Sequence, residues 1–487
     1  MSRKRASKHP SVVSLQPKKK VSDPVHGIIE LTELESLVVD SKAFQRLHNV
    51  RQLGLAHYVF PAANYSRFSH SVGACHNAQK LLTAIQKNSP KVIGLSNKEI
   101  QRFRLAALIH DLGHYPFSHA FEHEIEEYYA QSYLAPDEFN IDDGSIFNHE
   151  EMGLEVLRND EELKEILRKF DYTVEDIRTA FQKPATLLAG ILSSDLDCDR
   201  LDYLRRTAHH SGLPYGNVDI NYIIDQATTD INGRFCFGHK AIRAADHLLV
   251  SRYFDYLQVP YHKSVVALEW SLKVVIRELL ARKKIECSAN DMTLQVINQE
   301  WHHFDDGKIL ALARELRDHL THRLEKAQRD YGVLAHIAAI LHRKPAKLIA
   351  SVEMVSPVDM GLNIDIAEIK NTIRNFRNKH GICSLALHLW QPKDFSLIKA
   401  STKGSGHAIS SLTDEEPEFF EYVQIANSSQ KAQPIFQFSN ALMSQIYNFR
   451  YRACRIYSLS YGNKHFDQLV EVELLPLLRE LGMETSS

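Results

Sequence analysis

Four positions carry side chains that together suit a metal ion: His70, the adjacent pair His110 and Asp111, and Asp199. They stand in the words RFSHSVG (67–73), ALIHDLGHYPFSH (107–119) and LDCDRLDYL (196–204). Two imidazoles and two carboxylates make a mixed nitrogen–oxygen set that fits a borderline or hard divalent ion such as iron, manganese, zinc, nickel or magnesium. Four protein ligands on an ion that takes about six leave places for water and a phosphate oxygen. An ion with open positions lowers the pKa of bound water and polarises a phosphoryl group. The expected chemistry is metal-dependent hydrolysis of a phosphoester. A His-Asp pair alone arises by chance, but the upstream S-H-S and the downstream D-x-D-R-x-D-Y make the set specific.

The elements around these residues read as mainly helical. Phe103, Leu105, Leu108, Ile109 and Leu112 recur at helical spacing and predict a helix running into His110. On a helix, His110 and Asp111 diverge by about 100°, so an ion lying along the flank takes both. His114 is one turn beyond His110. Pro116 wastes no donor in a first turn and predicts the start of the next helix. Residues 135–148 read as a loop. GLEVLRNDEELKEILRKF and VEDIRTAF read as short amphipathic helices. Residues 244–284 read as one or two long helices, with Pro260 marking the break. Helices continue through 308–341. The runs 347–355 and 382–390 are β-like, 401–418 is a polar loop, and a final helix is expected from Val472.

At 487 residues the chain is long enough for two or three domains, and a net charge of −2 announces no nucleic-acid partner. Residues 1–20 hold seven Lys/Arg and two Pro and read as a solvated basic tail, with a weak nucleic-acid contact as the sharper alternative. The expected division is this tail, a catalytic unit over 21–265, and a mainly helical unit with short strands over 266–487. Six scattered cysteines with no C-x-x-C point to reduced thiols in a cytoplasmic setting. No membrane span and no signal-peptide core is read in the sequence.

The words DPVHGIIEL, FQRLHNVRQLG, YVFPAANYSRFSHSVG, HDLGHYPFSH, LDCDRLDYL and VPYHK, in that order over about 21–263, resemble the HD-domain phosphohydrolase superfamily. More narrowly, they resemble its deoxynucleoside triphosphate triphosphohydrolase branch, the SAM-and-HD-domain enzyme and its bacterial relatives. No room for a SAM domain is expected before residue 21. The resemblance implies an HD-type helical bundle with a smaller α+β C-terminal region. It implies that His70, His110, Asp111 and Asp199 hold the metal, and that a dNTP is cleaved to deoxynucleoside and inorganic triphosphate. His119 matches the histidine that protonates the leaving oxygen, with His114 and His149 beside it. Arg67, Arg200 and Arg252 match triphosphate-gripping positions, where a planar, always-charged fork is apt. Tyr203 matches a phosphate- or sugar-contacting tyrosine, and Gln52 and Leu53 match a pair at the sugar. Thr207 departs from the pattern, standing where an aspartate is usual. Asp40 and Gln45 match part of an activating-nucleotide site, but His48 replaces its arginine. His262 and Lys263 match contacts to the phosphates of an activating nucleotide. Such a site lies between subunits, which implies a homo-oligomer, a dimer or a tetramer.

Two other functions fit parts of the sequence. The metal words alone permit a nucleotide phosphatase or phosphodiesterase, although a monophosphate does not need three arginines. The basic tail, including Arg3, Lys4 and Arg5, fits a nucleotide- or nucleic-acid-binding regulator, against which the intact ligand set argues.

Overall fold

A computed structural model describes residues 13–89, 94–134, 145–181, 187–392, 395–396, 421–460 and 462–485. The chain is mainly helical, with three small sheets among the described residues. An antiparallel hairpin pairs Lys19–Asp23 with Gly27–Leu31. Lys19 and Lys20 therefore belong to a strand and pair with Asp40 and Glu30, rather than to a free tail. Arg3, Lys4 and Arg5 lie outside the described residues, as do most of the two expected loops.

Three helices frame the site. The long helix Arg67–Asn88 packs against both Asn97–Ile109 and Cys198–Ser211. Local signals set their ends. Ser96 and Glu99 form a reciprocal capping box at the start of Asn97–Ile109. Asp197 caps Cys198–Ser211, whose last turn is closed by Gly212 at φ +73°. The expected helix into His110 ends at Ile109, and His110 is its cap, so His110 and Asp111 project from a turn rather than a helix flank. Pro116 does not open the next helix. That helix is His119–Leu134, and Phe117 and Ser118 before it both take left-handed φ, at 56° and 60°.

The long apolar run divides at Pro260 into Ile242–Gln258 and Lys263–Ala281. The larger core runs without a break from Ile29 to Met443, so it does not stop at residue 265, where the sequence places a boundary. Leu272, Trp301, Ile309 and Val333 all belong to it. A second cluster lies under the sheet of Lys347–Pro357 and Phe449–Ser458. Within 382–390 only Leu387–Trp390 is strand. The final helical stretch starts at Lys464, earlier than Val472, and winds as a π-helix over Val470–Leu474. All six cysteines are buried free thiols. No helix among the described residues is long and apolar enough to cross a membrane.

Candidate metal centre and catalytic pocket

His70 lies on the second turn of Arg67–Asn88, His110 and Asp111 at the end of Asn97–Ile109, and Asp199 on the first turn of Cys198–Ser211. The packing of these three helices brings the residues together. His70 Nε2 is 2.9 Å from Asp199 Oδ1 and 3.7 Å from Asp111 Oδ2. His110 Nε2 is 3.3 Å from Asp111 Oδ1 and 3.9 Å from Asp199 Oδ1. Ligand atoms of His70, His110 and Asp199 lie within 4.8 Å of one another. Asp111 stands at the edge of this set, its carboxylate also bonded by Arg67 Nη1 at 2.6 Å and His114 Nε2 at 3.1 Å.

The donor set fits a divalent ion. The Nε2 atoms of both His70 and His110 are buried without a hydrogen-bond partner, which is costly unless a ligand meets them. His110 Nδ1 donates to the Ala107 carbonyl at 2.8 Å, which leaves a lone pair on Nε2. His70 Nδ1 is held by Asp202 Oδ2 at 2.7 Å. Burial alone would push the His70 imidazolium down, but Asp199 and Asp202 outweigh it and push it up to about 10. An incoming ion therefore displaces a proton from His70, and binding is coupled to pH. Burial would raise Asp111, yet Arg67, His110 and His114 hold it well below the usual carboxylate range.

Asp202 was not among the expected site residues. It is fully buried and accepts from His26, His70 and, twice, Arg206, which also reaches Asp23. The signal was present: Asp202 is three residues from Asp199 and shares its helix face. Gly73 makes room for it, since a Cβ there would meet Asp202 Oδ1 at 1.9 Å. Gly113 does the same for the other wall. A Cβ there would lie 2.1 Å from the Gly153 nitrogen and 2.2 Å from the His149 carbonyl.

Beside the metal set, His114 stacks on His149 at 4.1 Å, and Glu122 joins His149 to His119. Glu122 accepts from His149 Nδ1 at 2.8 Å and His119 Nδ1 at 3.0 Å. Burial works against the Glu122 charge, but these two imidazoles hold its carboxyl far below its usual range. Burial likewise works against His149, and Glu122 overrides it and raises the imidazolium. Glu122 is a site residue that sequence reasoning missed; it lies three residues after His119, one turn along the same helix.

One cavity of about 1490 Å³ takes in His110, Asp111, Asp199, His114, His119 and His149. Gln52, Leu53, Arg67, Arg200 and Tyr203 line it as well. Arg200 is held by Asp197 Oδ2 at 2.6 Å and by the Ser194 carbonyl. Arg252 lies behind the lining, buried, with Nη1 on Asp195 Oδ1 at 2.9 Å and Nε without a partner. The pattern S-D-L-D-C-D thus supplies acids that hold two of the arginines as well as a candidate metal ligand. Thr207 is fully buried and its hydroxyl meets the Tyr65 hydroxyl at 2.7 Å.

The expected nucleotide-site residues are each engaged locally. Asp40 pairs with Lys19, and Gln45 donates to the Val39 carbonyl at 2.7 Å. His48 stacks on Phe68 at 3.7 Å. His262 caps the helix that Lys263 begins. No described contact joins the first three to the last two.

The cavity wall also holds Asp255, a buried carboxylate bonded by the Tyr215 hydroxyl at 2.6 Å. Burial pushes it up to about 7 from 3.8, against the pull of Tyr215 and Arg252. The folded chain therefore holds a proton that the unfolded chain releases, and this group's stabilising contribution falls as pH rises from about 4 to about 7. Asp255→Asn is expected to match the parent in stability near pH 4 and to exceed it above pH 7. The gain is at most about 4 kcal/mol, at roughly 1.36 kcal/mol per pKa unit. Urea midpoints across that range test this; a difference independent of pH refutes it.

The loop that carries the histidines is clamped from far along the chain. Asp306 accepts the Phe117 amide at 2.7 Å and the Arg51 amide at 3.2 Å. Arg46 donates to the His114 carbonyl at 2.8 Å and lies over Trp301. Left-handed φ at two successive non-glycine residues costs about 1–3 kcal/mol each, and these bonds hold it. Asp306→Ala is expected to lower kcat on the order of 100-fold through misplacement of His119, with KM changed little. Asp306→Asn, which keeps an acceptor, should fall between. Equal kcat in all three proteins would remove the clamp from the argument.

Residues 67–207 match the HD domain family model, a span that contains all four metal-site residues. The uncharacterized protein YwfO of Bacillus subtilis is 29% identical over 275 residues, 55% of this chain and 57% of that protein. Deoxynucleoside triphosphate triphosphohydrolase SAMHD1 of Homo sapiens is 33% identical over 211 residues, 40% of this chain and 34% of its own. The chain thus spans between a third and three-fifths of these two relatives. A solved phosphohydrolase from Bacteroides thetaiotaomicron shares the fold with TM-score 0.64 and 20% identity, over 90% of this chain and 99% of that one. A hypothetical protein from Aquifex aeolicus does so with TM-score 0.63 and 23% identity, over 91% and 96%.

Proposed function

We propose, on the match of residues 67–207 to the HD domain family, that this chain is an HD-type phosphohydrolase and that it hydrolyses deoxynucleoside triphosphates to deoxynucleoside and inorganic triphosphate. The observation that carries this reading is a cavity lined by His110, Asp111 and Asp199 of the metal set, by His119 and His149, and by Arg67 and Arg200. A divalent cation held by His70, His110, Asp199 and Asp111 would supply Lewis acidity and water of lowered pKa.

The chain's own residues perform the rest. Arg67 and Arg200 present fixed guanidinium groups to phosphate oxygens, and each is held in place by a carboxylate partner that bound phosphate then supplements. Arg252 adds positive potential from behind the wall. Water adds to the α-phosphorus as its bond to the 5′-oxygen breaks. His119 donates a proton to that oxygen, which is otherwise a poor leaving group. Glu122 orients His119 by accepting from its Nδ1. Leu53 packs where a 2′-hydroxyl would lie and disfavours ribose. Tyr203 and Gln52 contact the sugar side. Activation by a nucleotide near Asp40, Gln45, His48, His262 and Lys263, in a homo-oligomer, belongs to the same reading. The similarity to a triphosphohydrolase in Homo sapiens supports it.

The test is ion-exchange analysis of products after incubation with each dNTP and manganese or magnesium, with and without GTP. Deoxynucleoside and triphosphate in equal amounts are expected, and neither with His110→Ala. Release of orthophosphate or of a nucleoside monophosphate instead would reject the triphosphohydrolase reading and keep a phosphohydrolase.

A further inference from the structure

The cavity wall carries a buried carboxylate that belongs neither to the metal set nor to the acids that hold the arginines. Asp255 lies in the last turn of Ile242–Gln258 and is 2% exposed. Its Oδ1 accepts from the Tyr215 hydroxyl at 2.6 Å, and no other hydrogen bond to this carboxylate is found among the described residues. Oδ2 is thus an unpaired acceptor on a residue that lines the cavity. An ionised carboxylate only accepts, so what this oxygen lacks is a donor. Burial pushes the group up to about 7, so the folded chain holds it at a cost, and a costly ionisable group in a cleft is a candidate for binding.

Its neighbours fix which part of a ligand it faces. Tyr65 and Tyr203 line the same cavity, and the charge on Asp255 acts on both phenols. The Tyr65 phenol also feels Asp202, the acid that holds His70, so one side chain separates Asp255 from the groups behind the metal set. In a nucleotide cleaved at the α-phosphate, the sugar is the part that lies this close to the ion. The Tyr65 and Thr207 hydroxyls are engaged with each other at 2.7 Å.

We propose that Asp255 Oδ2 receives the 3′-hydroxyl of the substrate's deoxyribose and makes the pocket selective for sugars that carry it, an inference that rests on the deoxynucleotide reading above. A deoxyribose held as a nucleotide has one free hydroxyl, which matches one unpaired acceptor. Hydrogen bonds to a charged acceptor are the stronger kind, and burial keeps water from competing. Tyr215 is a positioning residue: by holding Oδ1 it aims Oδ2. Gln52 Oε1 is also buried without a partner, and it is the neutral competitor for the same hydroxyl.

The test compares each dNTP with its 2′,3′-dideoxy analogue on the full chain with manganese. In the parent, kcat/KM should favour the dNTP by roughly 10- to 100-fold. Asp255→Ala should bring that ratio near one for all four bases. Asp255→Asn keeps the shape with a weaker acceptor and should lower the ratio at least about threefold, which carries the test if the alanine variant does not fold. Tyr215→Phe should lower it through KM. A structural role alone would lower both rates and leave the ratio unchanged, which overturns the proposal. A loss confined to one base, or a ratio that moves in Gln52→Ala and not in the Asp255 variants, overturns it too. Calorimetric binding of dATP and 2′,3′-dideoxy-ATP to the metal-stripped chain separates this inference from the proposed reaction. Preference for dATP without turnover would reject the triphosphohydrolase reading and keep the sugar contact. Turnover without any preference would do the reverse.

Discussion

Asp199→Ala is expected to abolish metal-dependent hydrolysis, lowering turnover by roughly 1000-fold or more while leaving the fold intact. Asp199 Oδ1 is the carboxylate oxygen nearest His70 Nε2, at 2.9 Å. The other carboxylate, Asp111, is already engaged by Arg67 and His114 and cannot serve the ion alone. Losing Asp199 leaves two imidazoles and a shared carboxylate. The metal's contribution is several kcal/mol, and each ~1.36 kcal/mol is tenfold in rate. Asp199 sits on the first turn of its helix at a third of full exposure, so its removal opens no core cavity. Elemental analysis should find the bound ion lost in parallel with activity, and thermal unfolding should change little. Full occupancy with normal turnover would exclude Asp199 from the centre.

The largest effect on stability is expected at Asp202. Its carboxylate is fully buried between His26, His70 and Arg206, all of which are buried as well. Removing one partner of a buried ion pair leaves the other charge unpaired, at a cost of about 3–5 kcal/mol. Asp202→Ala should therefore lower the urea midpoint strongly and also loosen metal binding, because His70 loses the acceptor that fixes its ring. Asp23→Ala is the comparison. It removes one of the two acids on Arg206 and none on His70, so its cost should be smaller and the metal should stay. An equal cost for both would mean that Arg206 alone carries the effect.

Much of the proposed site is legible in the order of residues. The metal set follows from side-chain chemistry in three short words, and the helices around it follow from apolar spacing and from caps such as Ser96 and Asp197, which act within one turn. The break at Pro260 is legible because it needs no partner elsewhere. The helix end at Ile109 was not, because the apolar stripe continues to Leu112 while the chain leaves the helix to present His110 and Asp111.

Residue types in three short words thus determined the proposed ligand set, local spacing determined most helix positions, and the proposed acid–base histidines came from the family resemblance. Only the tertiary structure decided what holds them. His26 and Asp202 are 176 residues apart, Arg46 and Phe304 are 258 apart, and Asp306 reads in sequence as an ordinary acid in a first helical turn. Their function comes from burial, which converts an exposed acid worth little into a fixed acceptor for a strained loop. Gly73 and Gly113 are decided the same way, by which backbone and carboxylate come to lie where a Cβ would be. Local interactions are written in neighbouring residues; desolvation and close approach depend on which distant segments the core brings together.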